Sequence, residues 1–253
     1  MQTKPQTAGF QRKIIDILYP AHCLSCGALL AEGEKGAGFC KKCRKEVIPV
    51  TEPSCKKCGK LISDAGAEYC EDCAGAGSRH LYVQGKCLFL YDGPMRGIMY
   101  RFKYGNRRSY ARAFAACAVR NYGGWLKSCG IDMILPVPMY RGKEKARGYN
   151  QAAVFAHALS ESTGIPERDD LLIRTVNTAP MKGLSDSARR RNLKNAFHMQ
   201  ANLVQFKRIL LVDDIYTTGT TVDAACACLL EGGAEAVYCM YICAGDGRRR
   251  RKA

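Results

Sequence analysis

The chain has 253 residues, 47% of them apolar and 25% charged, with a formal net charge of +16. Its length suits one or two domains with a full α/β core, and its composition excludes wholesale disorder. No apolar run reaches the ~18–20 residues of a membrane-spanning helix.

Residues 10–19 set Phe10, Ile14, Ile17 and Leu18 on one helical face, and Pro20 stops that helix. The polar first ten residues and the charges Arg12, Lys13 and Asp16 give no signal-peptide core, so a cytoplasmic location is expected. In that reducing setting, 15 cysteines point to metal or redox chemistry rather than disulfides. Eight of them form four C-x-x-C pairs: Cys23/Cys26, Cys40/Cys43, Cys55/Cys58 and Cys70/Cys73. They lie in residues 21–79, a segment too poor in apolar runs to build its own core. Two intervening residues let both thiolates reach one metal, and two such knuckles complete a tetrahedral site. Zn²⁺ favours this all-sulfur geometry and supplies folding energy, an iron–sulfur cluster being the alternative. Consecutive knuckles are expected to pair into two zinc ribbons, and a cross-braced arrangement would swap them. Cys87, Cys117, Cys129, Cys226, Cys228, Cys239 and Cys243 sit in apolar contexts and read as core. His22, His80, His157 and His198 have no partner motif and read as structural.

From residue 82 the texture changes. A strand over 83–91 precedes a turn at Asp92-Gly93-Pro94, helices over 94–104 and 109–126, and a buried strand over 131–137. A helix over 149–163 ends at Gly164, followed by a strand at 171–174, a loop at 175–187 and a short basic helix at 186–195. A strand at 208–213, a helix at 219–232 stopped by Gly232-Gly233, and a strand at 236–243 complete the pattern. The alternation implies a mostly parallel sheet with helices on both faces. The expected domains are an N-terminal helix and double zinc ribbon over 1–80, an α/β domain over 81–245, and a basic tail without fixed structure over 246–253.

The positive charge is uneven. Residues 81–147 hold 13 basic against 3 acidic residues, and 248–252 read RRRRK. Such a field attracts nucleic acid or phosphorylated small molecules. Tyr100, Phe102, Tyr104 and Tyr110 interleave with Arg101, Lys103, Arg107 and Arg108, a pattern suited to stacking bases and tracking a single-stranded backbone. The same helical period would also place Phe102 and Tyr104 in the core.

The stretch 208–221, RILLVDDIYTTGTT, is the most informative. An apolar strand runs into Asp213 and Asp214, and the loop Thr217-Thr218-Gly219-Thr220-Thr221 opens a helix whose free amides favour a phosphate. Paired acids at the carboxyl end of a strand can accept bonds from ribose hydroxyls or hold Mg²⁺.

This stretch resembles the 5-phosphoribosyl-1-pyrophosphate (PRPP) motif of type I phosphoribosyltransferases. With the cysteine knuckles, YDGPMRGIMYRFKYGNR, ILPVPMYRGKEKARGYNQA and RTVNTAPMKGLSDSARRRNLKNAF, nearly the whole chain is similar to the competence protein F family. The resemblance implies a type I phosphoribosyltransferase-like sheet preceded by a zinc-ribbon domain. It implies a pyrophosphate loop at Val137, Pro138, Met139, Tyr140 and Arg141, with Arg147, Tyr149, Asn150 and Gln151 beside it. It implies a mobile loop carrying Arg189, Arg190, Arg191 and Asn192, two structural Zn²⁺, and Mg²⁺ with PRPP. Arginine forks suit pyrophosphate oxygens. It further implies a role in natural transformation, handling internalised single-stranded DNA beside a competence helicase partner. Thr217 stands where purine-salvage relatives carry an acid, which argues against a purine acceptor. With no N-terminal nucleophilic cysteine (position 2 is Gln2) and no glutaminase domain, glutamine-dependent amination is not expected. Three functions follow: a DNA-handling protein with a PRPP pocket, a phosphoribosyltransferase with an unidentified acceptor, or a PRPP- or nucleotide-sensing regulator. No residue stands out as a base, so enzymatic activity is left open.

Overall fold

The computed structural model describes residues 21–75, 80–176, 196–200 and 206–248. The helix expected over 10–19, the basic helix over 186–195, nearly all of the loop at 175–187, the mobile-loop residues Arg189 to Asn192 and most of the basic tail lie outside them.

The cysteine segment is an internal repeat. Each half opens with a knuckle closed by an amide bond to the first cysteine's carbonyl, Gly27 to Cys23 and Gly59 to Cys55, both 2.9 Å. Each half continues to a one-turn helix whose N-cap is a cysteine: α1 (Lys41–Arg44) after Cys40 and α2 (Glu71–Ala74) after Cys70. The α/β part follows, with β1 (Gly85–Leu90), α3 (Pro94–Tyr104), α4 (Tyr110–Cys129), β2 (Met133–Pro136), α5 (Arg141–Arg147) and α6 (Gln151–Thr163). After these come β3 (Leu172–Arg174), β4 (Phe197–Met199), β5 (Arg208–Tyr216), α7 (Thr220–Glu231) and β6 (Ala236–Ala244).

Four strands form a parallel sheet in the order β1-β6-β5-β2, and β3 and β4 form a separate antiparallel pair. The central strands are nearly continuous apolar runs because both faces are covered. Leu210, Val212, Met240 and Ile242 pack against Ile98, Phe102, Phe114 and Phe155 of α3, α4 and α6. The alternate residues Ile209, Leu211, Cys239 and Tyr241 pack against Val222, Cys226 and Leu229 of α7 and against Leu172 and Phe197. Of the seven scattered cysteines, six are buried and Cys228 is half-buried, in keeping with a packing role.

Neither sheet edge is left bare, which removes a template for unwanted pairing. Along β1, Val50 donates to Leu88 (2.9 Å) and Leu90 to Ile48 (2.9 Å), so the linker between the ribbons acts as a short extra strand. Along β2, Ile134 donates to Pro166 (2.9 Å) and Arg168 to Ile134 (3.1 Å). The first ribbon is tied to α3 and α4: Arg101 donates to the carbonyls of Leu24 (2.9 Å) and Ser25 (3.0 Å), and Arg120 to that of Gly36 (3.0 Å). The second is tied to the start of β1, where Gly85 donates to Lys57 at 2.7 Å. Its Cys55 and Cys58 belong to the apolar cluster under α7, whereas Leu24, Phe39 and Val47 of the first ribbon join the cluster on the opposite face. The ribbons therefore borrow the sheet's core instead of building their own.

The sheet runs further than the sequence suggests at its most important strand. β5 was expected to end at Asp213 and instead continues to Tyr216, so the acid pair lies within the paired strand, opposite Tyr241 of β6. Residues 141–147, to which the sequence assigns no element beyond placing Arg141 in the pyrophosphate loop, form the short helix α5. β4 was not anticipated, because three residues show no alternation.

The repeat supplies its own control. Gly27 and Gly59 share a left-handed backbone (φ 77° and 75°), but a Cβ on Gly27 would meet open space, whereas one on Gly59 would lie 2.7 Å from the Gly85 carbonyl oxygen. Both alanine variants bear the left-handed penalty of roughly 1–2 kcal/mol. Gly59→Ala is expected to lose about 1–3 kcal/mol more from overpacking. Denaturant unfolding of the zinc-loaded variants measures the difference, and equal losses would mean that the second ribbon does not sit on β1 as described.

Candidate functional site

Two groups of four thiols are assembled, Cys23, Cys26, Cys40 and Cys43 in one and Cys55, Cys58, Cys70 and Cys73 in the other, with all sulfurs of a group within 4.8 Å of one another. Consecutive knuckles pair, and the cross-braced alternative is excluded. The Sγ separations are 3.8 Å for Cys26 and Cys40 and 3.6 Å for Cys58 and Cys70. Four sulfurs held tetrahedrally at ~2.3 Å from zinc stand about 3.8 Å apart, so these residues fit the metal. Backbone amides of Cys40 and Cys58 donate to Cys23 Sγ and Cys55 Sγ, each at 3.5 Å, the kind of bond that steadies a thiolate ligand. Both donor sets are closed four-thiolate shells, which marks the sites as structural.

The second assembly lies at the carboxyl ends of β2 and β5, where open α/β sheets bind ligands. Asp214 Oδ2 accepts an ion pair from Lys103 Nζ of α3 at 2.9 Å, with both side chains largely shielded from solvent. Asp213 takes its neighbour's amide at 2.8 Å. Burial and the adjacent Asp214 charge push the Asp213 carboxyl up to about 7, against the opposing pull of the Asp214 amide, Lys103 and Arg174. Burial lowers Lys103, but the charge and hydrogen bond of Asp214 outweigh it and leave its ammonium held above the usual range. Burial likewise lowers Arg174, and Lys143 is lowered by burial and by the charges of Arg174 and Arg147. Lys103 pairs with Asp214, Arg174 bears electrostatically on Asp213, and Arg147 and Lys143 stand near enough to repel Lys103 and Arg174 respectively. Basic side chains grouped at this end of the sheet favour an anion.

The loop after β2 contains Pro138, Met139 and Tyr140, all half-buried, and Tyr140 is the N-cap of α5, which starts at the exposed Arg141. The residues beyond α5 act mainly as framework. Asn150 caps α6, accepting from the Ala152 amide (3.1 Å) while donating to the Val137 carbonyl (3.0 Å). Gln151 is fully buried and accepts from Arg147 Nη1 at 2.7 Å. The guanidinium of Arg147 also lies 4.9 Å over the ring of Tyr104. Tyr149 donates its hydroxyl to the Phe102 carbonyl, and Arg108 stacks on its ring at 4.6 Å.

Beyond Tyr216, Thr217 is exposed and Thr218 shares a 2.7 Å hydrogen bond with Thr220 at the start of α7. Thr221 follows in the first turn of α7. Gly219 is the N-cap at φ 81°, and a Cβ there would lie 2.5 Å from the Tyr216 hydroxyl and 2.7 Å from His80 Cε1. Only glycine fits a loop pressed so closely onto two rings.

The residues read as a nucleic-acid strip divide. Tyr100 and Tyr104 are 66% and 59% exposed, with ring centroids 5.1 Å apart, and Arg107 and Arg108 are exposed beside them. Phe102 is core. Lys103 faces Asp214, and Arg101 holds the first ribbon. Sequence reading left out Lys143 and Arg174 and misplaced Lys103, because their partners lie far away along the chain. A separate cavity of about 510 Å³ lies between Phe39, Arg44, Glu52, Phe89, Arg120 and Tyr122, and none of its lining residues belongs to the carboxylate site.

A double zinc ribbon domain family matches residues 14–74, and a phosphoribosyl transferase domain family matches residues 150–253. Competence protein F of Haemophilus influenzae is 30% identical over 220 residues, covering 85% of this chain and 93% of that protein. The DNA utilization protein YhgH of Escherichia coli K12 is 28% identical over 222 residues, covering 81% of this chain and 96% of that one. Competence protein ComFC of Bacillus subtilis 168 is 28% identical over 212 residues, covering 81% and 82%.

The raised carboxyl makes a pH prediction. The folded chain keeps a proton on Asp213 between its ordinary value of 3.8 and about 7, so stability falls as pH rises through that window. Asp213→Asn removes the effect. At 1.36 kcal/mol per pKa unit the variant is expected to be more stable than the parent above pH ~7, by up to about 4 kcal/mol, with the gap closing toward pH ~4. Urea unfolding at several pH values reads this directly, and a parent that gains stability over the same window relative to the variant would contradict the placement of Asp213 against Asp214.

Proposed function

The chain belongs to the competence protein F family, and on that footing we propose that its carboxylate site binds PRPP or a related ribose phosphate with Mg²⁺, in a cytoplasmic protein that handles single-stranded DNA. The observation that carries the ligand reading is the Asp213–Asp214 pair met by Lys103 and Arg174, with Arg147 and Lys143 near those cations, beside the threonine-rich loop that opens α7.

Each element then has a task. Asp213 and Asp214 accept hydrogen bonds from the ribose hydroxyls. The loop at 217–221, at the N-terminus of α7, receives the 5-phosphate through its amides and threonine hydroxyls. Lys103 is released from Asp214 as the anion arrives and, with Lys143, Arg147 and Arg174, meets the pyrophosphate oxygens. Mg²⁺, when bound, supplies further neutralisation of the pyrophosphate. Pro138, Met139, Tyr140 and Arg141 border this end, and Asn150 and Gln151 hold the frame.

The strand-binding part is supported by the exposed Tyr100–Tyr104 pair with Arg107, Arg108 and Arg147 alongside, since bases stack on aromatics and arginines track phosphates. The relatives' names, which speak of competence and DNA utilization, agree with it. Among the described residues no helix is long and apolar enough to cross a membrane. A second reading, phosphoribosyl transfer to an unidentified acceptor, is favoured by Asp213, whose carboxyl at about 7 could exchange a proton near neutral pH.

Calorimetry with Mg²⁺–PRPP tests the pocket. Lys103→Met should weaken binding by roughly tenfold, the usual consequence of losing a charge-assisted bond worth about 1.5 kcal/mol, and Asp213→Asn with Asp214→Asn should abolish it with zinc retained. A labelled single-stranded oligonucleotide, titrated at two salt concentrations with and without Mg²⁺–PRPP, tests the surface. Salt-sensitive affinity lost in a Tyr100→Ala, Tyr104→Ala variant supports the DNA reading. PRPP binding without strand binding would shift the assignment to the transferase.

A further inference from the structure

The floor of the phosphate loop is a buried polar chain that no part of the proposed binding uses. His80 Nδ1 lies 2.8 Å from Asp223 Oδ2, and the other oxygen of Asp223, Oδ1, accepts from the Leu81 amide at 3.2 Å. A carboxylate opposite Nδ1 places the ring proton there, leaving Nε2 as an acceptor for the Tyr216 hydroxyl at 3.3 Å. The Tyr82 hydroxyl completes the chain at 2.8 Å from that of Tyr216, and the His80 ring stacks on Tyr82 with centroids 5.0 Å apart. Gly219 rests directly on His80 and Tyr216. Asp223 sits in the first turn of α7, so the same network steadies the helix end that presents its amides.

The chain continues into the second ribbon. Lys60 Nζ stands 5.3 Å from the centre of the Tyr216 ring, and Lys57 Nζ stands 5.4 Å from that of Tyr82. Lys60 is buried and ion-paired to Asp72 at 2.7 Å. Lys57 lies between Cys55 and Cys58, Lys60 just after them, and Asp72 between Cys70 and Cys73. The Lys60–Asp72 pair therefore ties together the two knuckles of one metal site, and its cation presses on the ring beneath the loop. The anchors described for the first ribbon run to α3 and α4 instead, through Arg101, Arg120 and Cys117.

We propose that the second four-cysteine cluster is coupled to the phosphate loop through Lys60, Tyr216, His80 and Asp223, so that metal loading there raises ligand affinity and bound ligand secures that metal. The first cluster lies outside this coupling. His80 is a positioning residue: it touches the loop's backbone, not the ligand. Removing the second metal lets the two knuckles part, withdraws Lys60, and leaves Tyr216 and His80 free to shift, so the loop amides are no longer held ready. Linkage makes the effect reciprocal, and about tenfold is within the usual range for coupled sites. The proposal rests on the ribose-phosphate reading for its ligand, but its metal-to-loop half does not.

Two measurements on the full chain separate these. Amide hydrogen exchange over 217–223 involves no ligand: Cys73→Ser should speed it about tenfold, and Cys26→Ser should leave it unchanged. Chelator-driven zinc release with and without Mg²⁺–PRPP gives the reciprocal arm, in which the ligand should slow loss of one ion of the two by about tenfold. His80→Phe keeps the stacked ring but loses both hydrogen bonds, and should abolish that protection and weaken PRPP about tenfold with two zinc ions retained. His80→Gln, which can still donate to Asp223 and accept from Tyr216, should restore both. Equal exchange in the two cysteine variants, or His80→Phe indistinguishable from the parent, overturns the coupling. A parent chain that fails to bind PRPP overturns the ligand reading alone, and the exchange result still decides the metal-to-loop half.

Discussion

Two carboxylates held side by side near the dry end of a parallel sheet set the terms for everything around them. Like charges that close resist ionising together, and burial worsens the conflict, as the raised Asp213 carboxyl records. Lys103 relieves half of it by pairing with Asp214, which fixes where α3 must run. Arg174 bears on Asp213, which gives the three-residue strand β3 a reason to lie over the sheet's end. Further cations stand close by: Lys143 is repelled by Arg174 and Arg147, and Lys103 by Arg147. On the proposed reading, a ligand that carries both hydroxyls and negative oxygens suits this mixture of charges.

The ribbons answer a different constraint. Fifty-odd residues with few apolar side chains cannot enclose a core, and metal alone leaves one face of each ribbon wet. The chain resolves this by laying one ribbon against each face of the sheet, Leu24 and Phe39 on the side of α4, Cys55 and Cys58 on the side of α7. Their linker covers the edge of β1. The ribbons and the sheet are consequently one packing problem, and a disturbance at either cluster is felt by a different set of helices.

How far the sequence speaks depends on the range of the interaction. The cysteine spacing is local, and tetrahedral geometry leaves it little freedom, so the eight ligands could be written down from C-x-x-C alone, and the expected pairing of consecutive knuckles is the one the structure shows. Asp213, Asp214 and the threonine-rich loop are contiguous and legible for the same reason. Lys103 is not. A 100° step per residue on α3 sends Phe102 into the core, Tyr104 to solvent and Lys103 between them toward a partner 111 positions later, and nothing local distinguishes these fates. His80 and Asp223 are 143 positions apart, and β4, unlike β3, gave no signal of its own, because its partner strand lies beyond a long intervening segment. Asn150 and Gln151 were legible as a signature but not as framework, because their bonds reach back to Val137 and receive Arg147.

Arg147 joins the two halves of the proposed function. Its guanidinium binds Gln151, stacks on Tyr104 and carries a charge felt by Lys103 and Lys143. Tyr104 belongs to the exposed aromatic pair, so a single cation borders both the pocket and the outer surface. An anion seated beside Lys103 and Lys143 relieves the repulsion on Arg147 and strengthens its hold on the Gln151 end. An anionic backbone passing Tyr104 draws it the other way. On the proposed reading the two ligands compete for one side chain's position, which makes pocket and strand interdependent through electrostatics over one residue rather than through a rearrangement of the fold.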